Sequence, residues 1–311
     1  MFKKKAEHWA TIEERGAYWG LRIVGFIFKL LGTHLCFIVM QPVLFYFFLT
    51  GKVQRQASID YLNRLNTFCK LEKKIRWWHA YQHFCSFAYM FLDKIAAWTN
   101  RISIDQIIFP DNTDMEDIIR EGKGVVVLAS HFGNIEVSRA LAQTKHKVPI
   151  TVFAHTKNAI KFNKLLTSYN PEAAIDMVEV NDLGPGTAID MQERLEQGHW
   201  IVIAADRVPV EGEKRVVNIP FLGNEAPFPE GGIILAALLK APVYMMMCVR
   251  EKDRKFKLVF EKLDNQLILP RKSRQEAIIT YLRKYAELHE RYCLKYPYQW
   301  YNFFDFWKKT K

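Results

Sequence analysis

Residues 125–136 read VVVLASHFGNIE. The β-branched, uncharged first half, preceded by Gly122 and Gly124, reads as a buried strand that stops at Ala129-Ser130. The second half reads as a loop turning into a helix, with Asn134 placed to cap Ile135 onward. His131 therefore falls at the carboxyl end of a strand, beside a helix N-terminus. That is where open α/β sheets bind their ligands.

The same texture continues on both sides. Residues 102–109 read as an edge strand and 114–121 as a helix closed by Gly122. After the central strand come a helix over 134–144, a strand over 148–155, a helix over 158–168 and a weaker strand near 177–180. A Gly-Pro-Gly loop at 184–186 leads to a helix over 187–197 and a strand over 199–205. Strands over 243–250 and 256–262 and an amphipathic helix over 272–294 follow. Met245, Met246 and Met247 in the first of these read as core filler before they read as an acyl pocket. Such alternation predicts an α/β sheet covered by helices. Residues 101–311 are expected to form this part and residues 1–100 a helical region integrated with it.

The N-terminal region has a different chemistry. It opens with Lys3, Lys4 and Lys5, followed by Trp9, Tyr18 and Trp19. No small-residue cleavage site follows cleanly, so a signal peptide is not the reading. Residues 30–49 contain no Asp, Glu, Lys or Arg, and their length just suffices to span a bilayer. His34 and Gln41-Pro42 interrupt them, which favours a kinked or re-entrant element dipping into one leaflet over a buried core pair. Basic residues flank both ends, so the positive-inside rule does not vote for crossing. Residues 52–100 read as helical. Lys70, Lys73, Lys74 and Arg76 ahead of Trp77-Trp78 fit a membrane-surface helix and an ordinary amphipathic one equally well.

Three groups of residues carry chemistry. His131 and Glu136 are five apart across a turn that can fold the carboxylate onto one imidazole nitrogen. The other nitrogen is then free to take a proton from an attacking hydroxyl, and an amide near Gly133 or Asn134 is placed for an oxyanion. A helix cap or loop histidine is the plain structural alternative. Asp206-Arg207 follows the apolar strand over 199–205 directly. If that strand is parallel to the first, the pair shares an edge with His131; Arg207 then binds an anion and Asp206 orients it, or the two form a rim salt bridge. Finally, Phe228-Pro229-Glu230-Gly231-Gly232 follows a Pro-Phe-Leu-Gly loop and opens an apolar helix at Ile233. Free amides at Gly231 and Gly232 suit an anion, while Glu230 has no settled role.

His131, four intervening residues and Glu136 match the HX4(D/E) pattern of the lysophospholipid acyltransferase superfamily. The form SHFGNIE resembles its branch of bacterial lipid A late acyltransferases, and the resemblance runs from about Trp9 to Trp307. It implies a mixed, mostly parallel sheet of the glycerol-3-phosphate acyltransferase kind with a membrane-associated N-terminal region. It also implies direct transfer of a fatty acyl group from acyl carrier protein or coenzyme A to a hydroxyl or amine of a lipid or glycolipid. His131 would be general base and Glu136 its orienter, at the cytoplasmic face of a bacterial inner membrane. In the resembling family the strand-end charges corresponding to Asp206-Arg207 contribute to donor and phosphate binding. FPEG at 228–231 is similar to a glycerolipid acyltransferase motif, but Gly232 and Ile233 stand where Thr and Arg are expected. The Pro-x-Gln-aromatic ending at Pro297, Gln299 and Trp300 is shared with the lipid A branch. Asn302, Phe303, Phe304 and Asp305 replace the basic residues that usually follow, which makes lipid A itself a doubtful acceptor.

Composition narrows the partners. Lys and Arg total 44 and Asp and Glu 33, a net charge of +11 that suits an anionic membrane or an acidic carrier protein. The cations are dispersed and no nucleic-acid-binding signature occurs, so nucleic acid is not expected. Five cysteines without a CxxC indicate neither a disulfide framework nor a zinc site. No metal or cofactor is expected beyond the acyl thioester, and the oligomeric state is open. No Gly-x-Ser-x-Gly elbow and no phosphate-binding glycine loop occur, which disfavours an acyl-enzyme and a nucleotide-dependent transferase. A thioester hydrolase using the same pair and a non-catalytic membrane scaffold stay open.

Overall fold

A computed structural model describes residues 17–71, 74–111, 114–138, 148–154, 176–179, 185–208 and 215–308. The basic start with Trp9, the helix expected over 158–168 and the second half of the helix expected over 134–144 lie outside these residues. So do the side chains of Tyr18 and Trp19.

In chain order the strands are β1 (Ile107–Ile108), β2 (Val125–Gly133), β3 (Ile150–Ala154), β4 (Asp176–Glu179), β5 (Trp200–Ala204), β6 (Val216–Phe221), β7 (Asn224–Pro229), β8 (Val243–Arg250) and β9 (Phe256–Asp264). One sheet runs β1-β9-β8-β2-β5-β3-β4, and β6 and β7 form a separate antiparallel hairpin. Among the described residues of the main sheet only the β8–β9 pair is antiparallel. The molecule is thus α/β with a mixed, mostly parallel sheet.

Alternation along β2 explains why it lies at the centre. Val126 and Leu128 enter the core on one face of the sheet, and Val125, Val127 and Ala129 the core on the other. A strand buried on both faces needs an unbroken apolar run, which is what residues 125–129 supply. The two neighbours of β2, β5 and β8, both run parallel to it. Its carboxyl end is therefore flanked by two other carboxyl ends. Met245 and Met247 of β8 join the first core and Met246 the second, so the methionines fill the interior.

β2 does not stop at Ser130. It continues to Gly133 because the C-terminal segment pairs with its end. Phe132 bridges Trp300, the Gly133 amide donates to the Gln299 carbonyl at 2.7 Å, and the Tyr301 amide donates to the His131 carbonyl at 2.9 Å. Trp300 is fully buried among Tyr61, Phe221, His289 and Phe306. The aromatic ending thus plugs the core.

Gly133 sits at φ +65, where β2 shifts register against β8. A Cβ there would stand 2.1 Å from the Cys248 carbonyl oxygen, a backbone atom that cannot rotate away. Gly133→Ala is expected to cost about 3 kcal/mol or more, from left-handed strain plus the displaced strand. A denaturant titration showing wild-type stability would contradict this placement.

The helices are α1 (Ala17–Thr50), α2 (Lys52–Phe68), α3 (Trp77–Trp98), α4 (Asp114–Arg120), α5 (Pro185–Glu196), α6 (Gly231–Leu238) and α7 (Arg274–Lys295). Pro42 is carried inside α1, and the kink falls instead at Gly32, with φ 69. Glycine reaches that backbone region without a Cβ clash, so the break occurs there. The carbonyls of Phe28 and Lys29 lie in the helical turn just before this kink. The Arg101 guanidinium takes both, at 3.3 and 3.2 Å.

Residues 24–50 are long and apolar enough to cross a membrane, with a mean hydropathy of 1.7 and 11% of the span window buried. So little burial disagrees with a helix inside a core. Phe26, Leu30, Ile38 and Tyr46 are each more than 60% exposed. Such a row of exposed apolar side chains marks a surface that meets lipid or protein. α2 and α3 are also tied to the α/β part: Tyr61, Leu62 and Leu65 of α2 belong to the main core.

Candidate active site

Parallel pairing of β2 and β5 places Ala129 opposite Ala204, and the Ala205 amide continues the ladder to the Ala129 carbonyl at 3.0 Å. Two residues beyond each, His131 and Asp206 meet. The Asp206 Oδ1 accepts from His131 Nδ1 at 2.9 Å, and its Oδ2 accepts from the His131 backbone amide at 2.8 Å. The Trp300 indole N–H approaches the same Oδ2 at 3.5 Å. A carboxylate held by two donors of one residue fixes both the ring and its tautomer: Nδ1 carries the proton, and Nε2 presents its lone pair. Nε2 makes no hydrogen bond to a described residue.

The electrostatics agree with this assignment. The Asp206 side chain is 1% exposed and that of His131 38%, so the carboxylate lies behind and the imidazole opens outward. Burial opposes the charge on Asp206, but His131 and Arg207 outweigh it and hold the carboxyl well below its ordinary range. Burial and the Arg207 guanidinium push the His131 pKa below its ordinary value, with Asp206 opposing. Burial and Arg207 thus favour the neutral imidazole over the imidazolium.

Several expected roles are redistributed. Glu136, expected to orient His131, instead faces α3: its Oε1 lies 3.3 Å from Lys94 Nζ, and its Oε2 accepts from Trp98 Nε1 at 3.3 Å. The reason is the extension of β2, which puts His131 on a strand and carries Glu136 onto the helical turn beginning at Ile135. Asp206 takes the orienting place. It was expected to serve Arg207, whose Nη2 donates to the Tyr301 carbonyl at 3.1 Å while its guanidinium lies 5.6 Å from the Phe304 ring centre. The amides of Gly133 and Asn134, expected to receive an oxyanion, donate to the Gln299 and Cys248 carbonyls at 2.7 and 2.6 Å. Donors committed to the sheet have no hydrogen left for an oxyanion. The Asn134 side chain donates to the Met90 carbonyl of α3 at 3.0 Å rather than capping its own helix.

At the third group, a Cβ on Gly232 would touch the side chains of Ala205 and Ile203, so the start of α6 lies against the end of β5. Gly231 at that start is exposed. Glu230 points elsewhere and accepts from Gln275 Nε2 at 2.8 Å. The expected Pro-Phe-Leu-Gly loop is the tip of the β6–β7 hairpin. Among the described residues no cluster of three His, Cys, Asp or Glu is placed to hold a metal ion.

Two further histidines back the site. His83 is buried between Ser58 Oγ and the Trp300 carbonyl, at 2.9 Å from each. His289 is buried among the rings of Phe132, Phe221, Tyr285 and Trp300, and neither ring nitrogen has a hydrogen-bond partner among the described residues. Burial lowers both pKa values to about 4. His289 was legible in principle, since it lies on the apolar stripe of α7 with Ile278, Leu282, Tyr285 and Cys293. Nothing local marks His83, whose partners are 25 and 217 residues away.

A histidine–carboxylate pair stands at the carboxyl edge of a mostly parallel sheet, and an exposed apolar helix is attached to the same chain. The sequence profile described as bacterial lipid A biosynthesis acyltransferase matches residues 80–309, and the chain belongs to that family. It is an acyltransferase of the lysophospholipid acyltransferase superfamily. Among curated proteins no sequence matches it significantly. Family membership and the apolar α1 together point to membrane association.

Proposed function

We propose that the protein transfers a fatty acyl group from an acyl thioester, on acyl carrier protein or coenzyme A, to a hydroxyl or amine of a lipid or glycolipid acceptor. The observation that carries this reading is the His131–Asp206 hydrogen bond at 2.9 Å, on an imidazole whose side chain is 38% exposed. His131 Nε2 removes the proton of the acceptor while its oxygen or nitrogen attacks the thioester carbonyl. Asp206 stabilises the imidazolium that forms. The tetrahedral intermediate then collapses, the C–S bond breaks, and the proton passes from Nε2 to the departing sulfur. Arg207, adjacent to Asp206, is proposed to hold a phosphate of donor or acceptor, and Gly231-Gly232 to line the same edge. The basic balance of +11 favours an acidic carrier and the anionic cytoplasmic face of a bacterial inner membrane.

The test uses membranes containing the full chain. Labelled acyl-carrier-protein and acyl-CoA donors are supplied in parallel with extracted lipids, to wild type and to His131→Ala. Wild type is expected to yield a labelled lipid and the variant about 10³-fold less. Free labelled acid without labelled lipid would show a hydrolase instead, and equal activity of the variant would remove His131 from the mechanism.

A further inference from the structure

The acyl-transfer reading leaves one requirement unmet. A tetrahedral intermediate carries a full negative charge on the former carbonyl oxygen, and enzymes meet it with placed donors or cations. The amides of Gly133 and Asn134 are spent on the sheet. One face of α3 lies over the turn that follows His131. Met90, Lys94 and Trp98, each four residues apart, contact Asn134, Glu136 and Glu136 in turn, at 3.0, 3.3 and 3.3 Å. The next residue round the helix, Asp93, pairs with Arg250 at the carboxyl end of β8 and anchors α3 across the same sheet edge. The Lys94 side chain is 19% exposed. It also lies 5.1 Å from the Trp98 ring centre, which narrows its rotamers.

We propose, resting on the acyl-transfer reading above, that Lys94 is the catalytic cation that receives the negative charge of the tetrahedral oxyanion, and that Glu136 is its positioning residue. Attack forms the new C–O or C–N bond and pushes the carbonyl π electrons onto oxygen, beside the Lys94 ammonium. Their return expels the thiolate, which takes the proton from His131. The acidic residue of the HX4E pattern thereby serves the cation rather than the base. The charged groups bearing on His131 itself are Asp206, Arg207 and Lys94, and of these Lys94 and Arg207 oppose its protonation.

Lys94→Met, Lys94→Arg and Glu136→Gln are compared with wild type and His131→Ala in the acyl-transfer assay, each checked for folding by thermal unfolding. Methionine keeps the length and apolar stem of lysine without its charge. Lys94→Met is expected to lower kcat about 10²-fold with KM changed only a few-fold. Its acid limb in the pH–rate profile is expected to move to higher pH, because a cation that opposed His131 protonation has gone. Lys94→Arg is expected to recover most of the rate, and Glu136→Gln to lose about 10-fold. A Lys94→Met enzyme with wild-type kcat and acid limb, while His131→Ala is inactive, would overturn this proposal and leave the acyl-transfer reading standing. Lys94→Arg as slow as Lys94→Met with an unmoved acid limb would overturn it too. Wild type that transfers no acyl group would bring down both.

Discussion

Asp206→Asn is expected to lower acyl transfer by about 10³-fold, far more than Glu136→Gln, although Glu136 stands in the family motif and Asp206 lies 75 residues from His131. Asparagine keeps the shape of aspartate and one acceptor oxygen. It removes the charge that favours the imidazolium in the transition state, and it replaces the Oδ2 acceptor of the His131 amide with a donor or a misplaced group. A neutral side chain also ceases to raise the His131 pKa, so burial and Arg207 depress it unopposed. The sign is therefore definite: kcat falls, and the acid limb of the pH–rate profile moves to lower pH. Steady-state kinetics of purified protein in lipid between pH 5 and 8, on the order of the range where histidine titrates, provide the check. If Glu136→Gln proved the more damaging of the two and Asp206→Asn left the acid limb in place, the carboxylate serving His131 would be misassigned.

A second large effect is expected in stability against acid. His83 and His289 titrate at about 4 in the folded protein because burial excludes the charged ring. In the unfolded chain they titrate near the ordinary value of about 6.5. The unfolded state therefore binds more protons through this interval. Stability from these two residues is present in full above about pH 6.5 and is lost as pH falls toward about 4, by roughly 3 kcal/mol for each. Typical domains have about 5–15 kcal/mol in total, so the pair is enough to bring unfolding into the weakly acidic range. Thermal unfolding in detergent or lipid is expected to show Tm falling steeply from pH 6.5 to 4.5. His289→Phe keeps an aromatic ring in the box and removes one titration, so it should flatten that fall. A Tm unchanged over this range would mean that water or an unrecognised donor reaches these rings. Both histidines touch Trp300, whose indole in turn approaches Asp206.

Much of the architecture was legible because it rests on local periodicity. The alternating apolar runs locate β2, β5 and β8 to within a few residues, and the stripe at 278, 282, 285, 289 and 293 gives α7 its buried face. Boundaries shifted where a distant segment intervened. β2 gained three residues from the backbone of 299–301, and the kink of α1 moved to Gly32, beside the Phe28 and Lys29 carbonyls that accept from Arg101. The candidate site was legible in its parts and not in its pairing. His131, Glu136, Asp206 and Arg207 are all recognisable as charged or titratable groups at strand ends. Which carboxylate meets which base depends on whether a residue continues the strand or turns onto the helix, and one extra strand residue reverses the face it points to.

The amino-acid sequence by itself determined the alternating α/β order, the position of His131 at a strand end, the apolar α1 and the family, because each of these is written in short-range spacing or in residue type. Only the tertiary structure decided that Asp206 holds His131, that Glu136 holds Lys94, and that Trp300 with His83 and His289 closes the floor of the site. Those contacts join residues 11 to 217 positions apart. Their geometry is set by strand register and helix packing, quantities that no local pattern encodes.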